Sequence, residues 1–413
     1  MKKTIKEKNS KIKEFNIDRF NLAMSNLGGE PLKLNKTSYP KPKIKDDYLV
    51  NSRGKKIGTK GDMYTKKIMD DILQRGCLDH NPRPYYKDFY EGAKYFENIG
   101  VVKQKDGSNI YLYPNQKAIT KENGVEIQTP AHTISVNNGI ECSYDLSKGE
   151  TPMITLRPIA TKASCAEILW IYQAESNDLV LFDELLDKNT WNENHKINNW
   201  WEEWALRNKD GSYKLNEAGH PNIGKCYGGT TGPRNMLRKE VIDVIKGNIE
   251  KGIKPNPDSR RLITCLWQID DFNEEHGLKP CAFLTIWNVR HDWDETDYLD
   301  MTMIQRSSDF ATAGCINQVQ YAELLLMVAK ECNLEPGVFT WKPVNVQLYD
   351  RHIEQAIEIL NRKPVDGIDA TIKLREEATS FDEMQPSDLK ILDQEAIQKV
   401  KKKNPQLKFP LGI

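Results

Sequence analysis

Three apolar, β-prone runs follow one another along the chain: RRLITCLWQI (residues 260–269), CAFLTIWNV (281–289) and YLDMTMI (298–304). In the third, Leu299, Met301 and Met303 alternate with Asp300 and Thr302, the period of a strand with one buried and one open face. INQVQYAELLLMVAKEC (316–332) then reads as a mostly buried helix, followed by a strand near GVFTWK (337–342) and a helix at RHIEQAIEIL (351–360). Such a succession needs a sizeable core. The 413 residues can supply one, as a single large α/β domain with insertions or as two domains.

Upstream, MYTKKIMDDILQRG (63–76) has helical spacing and a glycine stop, and residues 84–138 carry aromatics and turn signals that predict a β-rich insertion. Residues 1–62, rich in Lys, Asn and Pro, read as a solvated, partly extended arm; a nucleic-acid-binding arm is the other reading. The chain ends NPQLKFPLGI, an apolar end that predicts a docked C-terminus. The formal net charge is zero and no apolar run approaches the ~20 residues of a membrane span, so composition favours neither nucleic acid nor membrane. Eight cysteines without a CxxC or CxxxC pair read as reduced thiols in a cytoplasmic protein.

Cys281 follows a proline and opens a strand; a cysteine there is either small inert core or a nucleophile. Arg83, Arg260, Arg261 and Arg306 flank predicted strands, and Ser307 adds a hydroxyl beside Arg306. Singly they read as surface ion pairs; together they suit a bound anion, and an arginine near the thiol would lower its pKa. Glu167, on the helix CAEILWIYQAESN (165–177), is either a surface acid or a desolvated carboxyl that relays protons. Trp201 and Trp204 suit core or a stacking platform, and Asn317 could be an ordinary helix cap.

In this order LDHNPRP, CAEILWIYQAESN, WWEEWA, KCYGG, NPDSRRLITCLWQ, LKPCAFLTIW, IQRSSDFATAGCINQVQYAELL, VNVQLYDRHIEQ and FPLGI resemble the thymidylate synthase superfamily. The resemblance covers residues 63–83 and 139–413. It implies an α+β fold, a mixed β-sheet packed against helices with one sheet face forming a homodimer interface. It also implies that Cys281 adds to C6 of a pyrimidine nucleotide, and that C5 then attacks the methylene of 5,10-methylenetetrahydrofolate. Arg83, Arg306 and Ser307 would hold the phosphate, with Arg260 and Arg261 reaching in from a second subunit. Asn317 would read the base, Gln347 stands at the histidine of the family's His-x-Tyr pair, and Tyr349 would meet the sugar. Glu167 and Tyr227 would organise the relay water, while Trp201, Asp309 and the C-terminal Ile413 would shape the folate side. Departures from the pattern are Ala282 in place of the histidine after the nucleophile, Gln347, and a glycine displaced to Gly314, with Ala313 in its place.

An amide offers both a donor and an acceptor, matching O4 and N3–H of uracil, so Asn317 points to dUMP; the related cytidylate enzymes carry Asp. Ala282, the arm and the insertion resemble phage hydroxymethylases, so the expected product is 5-hydroxymethyl-dUMP. Hydride transfer would instead give dTMP and dihydrofolate. A non-catalytic nucleotide- or RNA-binding relative is the remaining alternative, opposed by the joint presence of Cys281, Arg306, Asn317 and Tyr349.

Overall fold

The computed structural model describes residues 11–82, 84–272, 278–293 and 295–412. Its main element is a seven-stranded sheet built from β1 (Cys77–Leu78), β2 (Thr133–Asn137), β3 (Cys142–Asp145), β4 (Ile263–Cys265), β5 (Ala282–His291), β6 (Asp297–Asp309) and β7 (Glu335–Tyr349). The order is β4-β5-β6-β7-β2-β1, with β3 also pairing with β7. β5 and β6 form an antiparallel hairpin, whereas β6 and β7 run parallel. A parallel pair needs a crossover, and helix α4 (Cys315–Glu331) provides it. The sheet is therefore mixed, as the α+β expectation requires.

The alternation in β6 is realised: Leu299, Met301 and Met303 are buried, Asp300 and Thr302 half-buried. Helix α4 lies between that face and α3 (Thr161–Tyr172), and both helices are buried over most of their surface. Trp170, Trp287, Trp341 and Phe310 are among the largest fully buried side chains of the core. Truncating Trp170 to alanine would cost roughly 3–5 kcal/mol.

Helix α2 (Lys60–Arg75) starts with a capping box between Thr59 and Asp62 and stops at Gly76, as predicted from its sequence. Residues 11–57 overturn the solvated-arm reading. Helix α1 (Ile17–Asn26) buries Phe20 and Met24, and Phe15, Tyr39 and Leu49 join the main core. Lys13 pairs with Asp70 of α2 at 2.6 Å. These anchors are spaced without a period, so the segment looked unstructured although each apolar residue has a site to fill.

Residues 84–130 fold as two three-stranded sheets around a small cluster of their own, Ala93, Val102, Val125 and Ile127. The β-rich reading of this stretch extended to 138, but Thr133–Asn137 is a strand of the main sheet. The segment is tied to the end of β7. Tyr86 donates to Asp350 at 2.6 Å, and Arg351 grips Asp88 with two bonds of 3.0 and 2.7 Å. Among the described residues no helix is long and apolar enough to cross a membrane.

Candidate active site

The sheet brings the ends of β6 and β7, the start of α4 and the turn before β5 to one place. Cys281 sits on that turn, beside a register shift in the β5–β6 pairing between Ala282 and Leu284, the kind of bulge that aims a side chain. Arg306 clamps the turn: its backbone N–H donates to the Cys281 carbonyl (2.9 Å), its Nε to Pro280 (2.9 Å) and an Nη to Lys279 (2.8 Å). The guanidinium does pull the Cys281 pKa down, as its position in the sequence suggested. Burial outweighs it, and the net shift is upward. The expected lowering is therefore not the net effect, because desolvation of a charged sulfur exceeds one cation's help.

Tyr227 accepts a hydrogen bond from the Cys281 N–H at 3.0 Å. Its backbone lies at φ +48°, a strained conformation for a side chain of this size. The next residue must be glycine, since a Cβ on Gly228 would stand 1.9 Å from the Ser176 carbonyl oxygen. The Tyr227 ring meets Trp201 edge-on at 5.4 Å, and Trp201 Nε1–H donates to Glu167 at 3.0 Å. Glu167 is buried on α3, and burial lifts its pKa to about 7, opposed by hydrogen bonds from Gln320, Trp201 and Trp200. The backbone of the candidate nucleophile and the candidate proton-relay carboxyl are therefore linked through two aromatic side chains, Tyr227 and Trp201.

Asn317, in the first turn of α4, is held on both sides: Gln305 Nε2 donates to its Oδ1 (3.1 Å) and its Nδ2 donates to Gln320 (2.9 Å). Between β6 and α4 lies a π-helical turn, Phe310–Gly314. Glycine is needed at 314, where a Cβ would come within 2.6 Å of the Phe310 ring and 2.9 Å of Ser308 Oγ. Ser307 pairs with Asn345 across the parallel β6–β7 ladder, and Asp309 with Gln347. Tyr349 ends β7; burial first, then Asp309 and Cys281, raise its pKa, so it is a neutral hydroxyl donor at physiological pH. The C-terminal strand of chain docks beside it. His352 contacts the Pro410 carbonyl at 2.6 Å, and a Cβ on Gly412 would lie 3.0 Å from the Tyr349 ring.

Buried polar atoms that make no hydrogen bond of ordinary length to a described residue gather here: Ser308 Oγ, and Asp309 Oδ1 and His352 Nδ1, which face each other only at 3.6 Å. Buried polar groups are normally hydrogen-bonded, so such a cluster suits a polar ligand. Asp309 and the flat Trp201 ring fit a group with ring N–H donors and a face to stack. Arg260 and Arg261 are exposed on the loop before β4, and neither guanidinium pairs with a described residue. Arg83 and Ile413, both assigned from the sequence, lie outside the described residues. Gln305, Gln320 and His352 were not singled out; Gln320 stands three residues after Asn317, the same-face spacing of a helix, which was the available signal.

The thymidylate synthase family profile matches residues 110–404. A thymidylate synthase of Lactococcus lactis is 31% identical over 355 residues, covering 86% of this chain and 100% of the relative. One from Streptococcus gordonii is 33% identical over the same span. The solved structure of the thermostable thymidylate synthase A from Bacillus subtilis superposes with a TM-score of 0.57 at 24% identity, covering 85% of this chain and 99% of that one. The family match and these relatives support a one-carbon transferase. The chain belongs to the thymidylate synthase family, whose co-substrate is 5,10-methylenetetrahydrofolate.

Proposed function

We propose that this protein converts dUMP to dTMP. The observation that carries the reading is the linkage of Cys281 through Tyr227 and Trp201 to Glu167, a carboxyl able to hold or release a proton near neutrality. Cys281 Sγ bonds to C6 as its proton passes to water, and the C5–C6 π pair moves toward C5 and O4. Glu167 serves the protons at O4 and C5 through water. Arg306 and Ser307 hold the phosphate with Arg83, Asn317 reads the uracil edge, and Tyr349 and Gln347 border the sugar. The folate supplies the one-carbon unit and the hydride. Trp201, Asp309 and the C-terminal Ile413 would hold it, in keeping with the buried Asp309 Oδ1, which makes no hydrogen bond to a described residue and meets His352 Nδ1 only at 3.6 Å.

Hydration to 5-hydroxymethyl-dUMP is the second reading, and Ala282 is the observation in its favour. Against it, Ala282 is only 4% exposed, so the missing histidine ring leaves buried alkyl rather than open room for water. Trp201 is buried among Trp170, Trp204 and Tyr227. The relatives that match along their whole length are thymidylate synthases. Dryness around the one-carbon unit favours hydride over water.

The working unit we propose is a homodimer in the cytoplasm. Ile263, Ile286, Trp267 and Val344, all on or next to strands of the sheet, are exposed in the single chain, beside the exposed Arg260 and Arg261. Incubation with dUMP and methylenetetrahydrofolate tests the product: one dihydrofolate per dTMP is expected by absorbance and mass. A nucleotide carrying a hydroxymethyl group, with no dihydrofolate, would overturn the proposal in favour of the second reading.

A further inference from the structure

A line of side-chain amides runs through the site, and its two ends have fixed polarity. The Trp341 indole N–H can only donate, and it donates to Gln305 Oε1 at 2.9 Å. The Gln305 amide is thereby oriented, so its Nε2 donates to Asn317 Oδ1 at 3.1 Å and to the Ser307 carbonyl at 3.0 Å. Asn317 in turn donates from Nδ2 to Gln320 Oε1 at 2.9 Å. Gln320 is 2% exposed, and its Nε2 makes no hydrogen bond of ordinary length to a described residue; the carboxyl it lies against is Glu167. Gln320 favours the ionised form of that carboxyl. An ionised carboxylate can only accept. Turning any one amide in this line sets donor against donor and acceptor against acceptor, at roughly 1–3 kcal/mol per buried mismatch.

We propose that Gln320 is a positioning residue that locks the Asn317 amide in its uracil-reading orientation and couples that orientation to the ionisation of Glu167. The inference rests on the dUMP reading above and adds what enforces it. With Oδ1 taken once by Gln305 and Nδ2 once by Gln320, Asn317 keeps one lone pair for N3–H and one N–H for O4. Cytosine presents the reverse pair and would require the amide to turn. Trp341 resists that turn at one end and the Glu167 carboxylate at the other. Once Glu167 takes a proton it can donate, and Gln320 is free to rotate with Asn317. The other groups facing Glu167 are the Trp200 and Trp201 side chains and the phenols of Tyr227 and Tyr321. Burial keeps both phenols neutral, so Glu167 is the group that titrates.

The full-length protein with Gln320→Met and Gln320→Glu tests this, with dUMP and dCMP affinities measured by calorimetry and turnover measured against pH. Gln320→Met removes both the acceptor and the donor. Its preference for dUMP over dCMP should fall by about tenfold or more at pH 8, and the rate limb set by Glu167 should move to higher pH. Gln320→Glu keeps an acceptor for Asn317 but adds a second carboxyl beside Glu167. It should retain the dUMP preference while the limb moves up. Wild-type preference in folded Gln320→Met, or an unmoved limb in Gln320→Glu, would overturn the inference; the second arm stands even if the Met variant does not fold. Absence of dUMP binding by the wild-type protein would instead remove the parent reading.

Discussion

Replacing Glu167 with glutamine should stabilise the protein at alkaline pH and cripple it. The carboxyl is buried on α3, with a pKa of about 7 in the fold against its usual 4.5. Below pH 4.5 it is protonated whether the chain is folded or not, and its neutral form fits at no ionisation cost. Between 4.5 and 7 the unfolded chain gives up the proton while the folded chain keeps it, so stability falls as pH rises. Above 7 both states are ionised and the loss is complete. At about 1.4 kcal/mol per pH unit over that window, the loss is about 3 kcal/mol. A glutamine carbonyl can still accept the Trp201 N–H, now 3.0 Å from the carboxylate, without ever charging. Urea unfolding at pH 5, 6, 7 and 8 should therefore show Glu167→Gln within about 1 kcal/mol of wild type at pH 5 and more stable by about 3 kcal/mol at pH 8. Turnover should drop by about 10² or more, the usual contribution of a positioned acid–base group. A difference that stays constant across the four pH values would refute the argument, because it would mean that Glu167 is not held protonated by burial.

Cys281→Ser should lose all but about 1% of turnover, since an alkoxide is much harder to form than a thiolate, while dUMP still binds in a calorimeter. Substantial turnover by the serine variant would exclude the covalent step. Asn317→Asp should weaken dUMP use and improve dCMP use, by roughly 10²-fold or more in their ratio of kcat/KM; an unchanged ratio would make Asn317 a helix cap only. Mixing Arg261→Ala with Cys281→Ala should restore part of the activity through heterodimers carrying one intact site. With subunit exchange verified by mass, no recovery would place Arg261 outside the partner's site.

How far the chain could be read without its fold differs from feature to feature. Strand alternation is local, so Leu299, Met301 and Met303 announced their buried face, and the DSRR, PC and QRSxD…N…Y motifs, the last with Asp309, Asn317 and Tyr321, were specific enough to indicate the family. The N-terminal anchors Phe15, Tyr39 and Leu49 carried no such signal, because a residue that fills a site on another element needs no period of its own. Gln320 looked like one more polar residue on an apolar helix until Asn317, Gln305 and Trp341 came together from α4, β6 and β7. The Cys281 thiol was misjudged for a related reason: the sequence showed the arginine that lowers its pKa and hid the burial that raises it. Helical and strand periods follow from bonds between near neighbours, so the chain alone determines them. Desolvation and the direction in which an amide points depend on atoms contributed by segments far apart in the chain, and only the tertiary structure decides those.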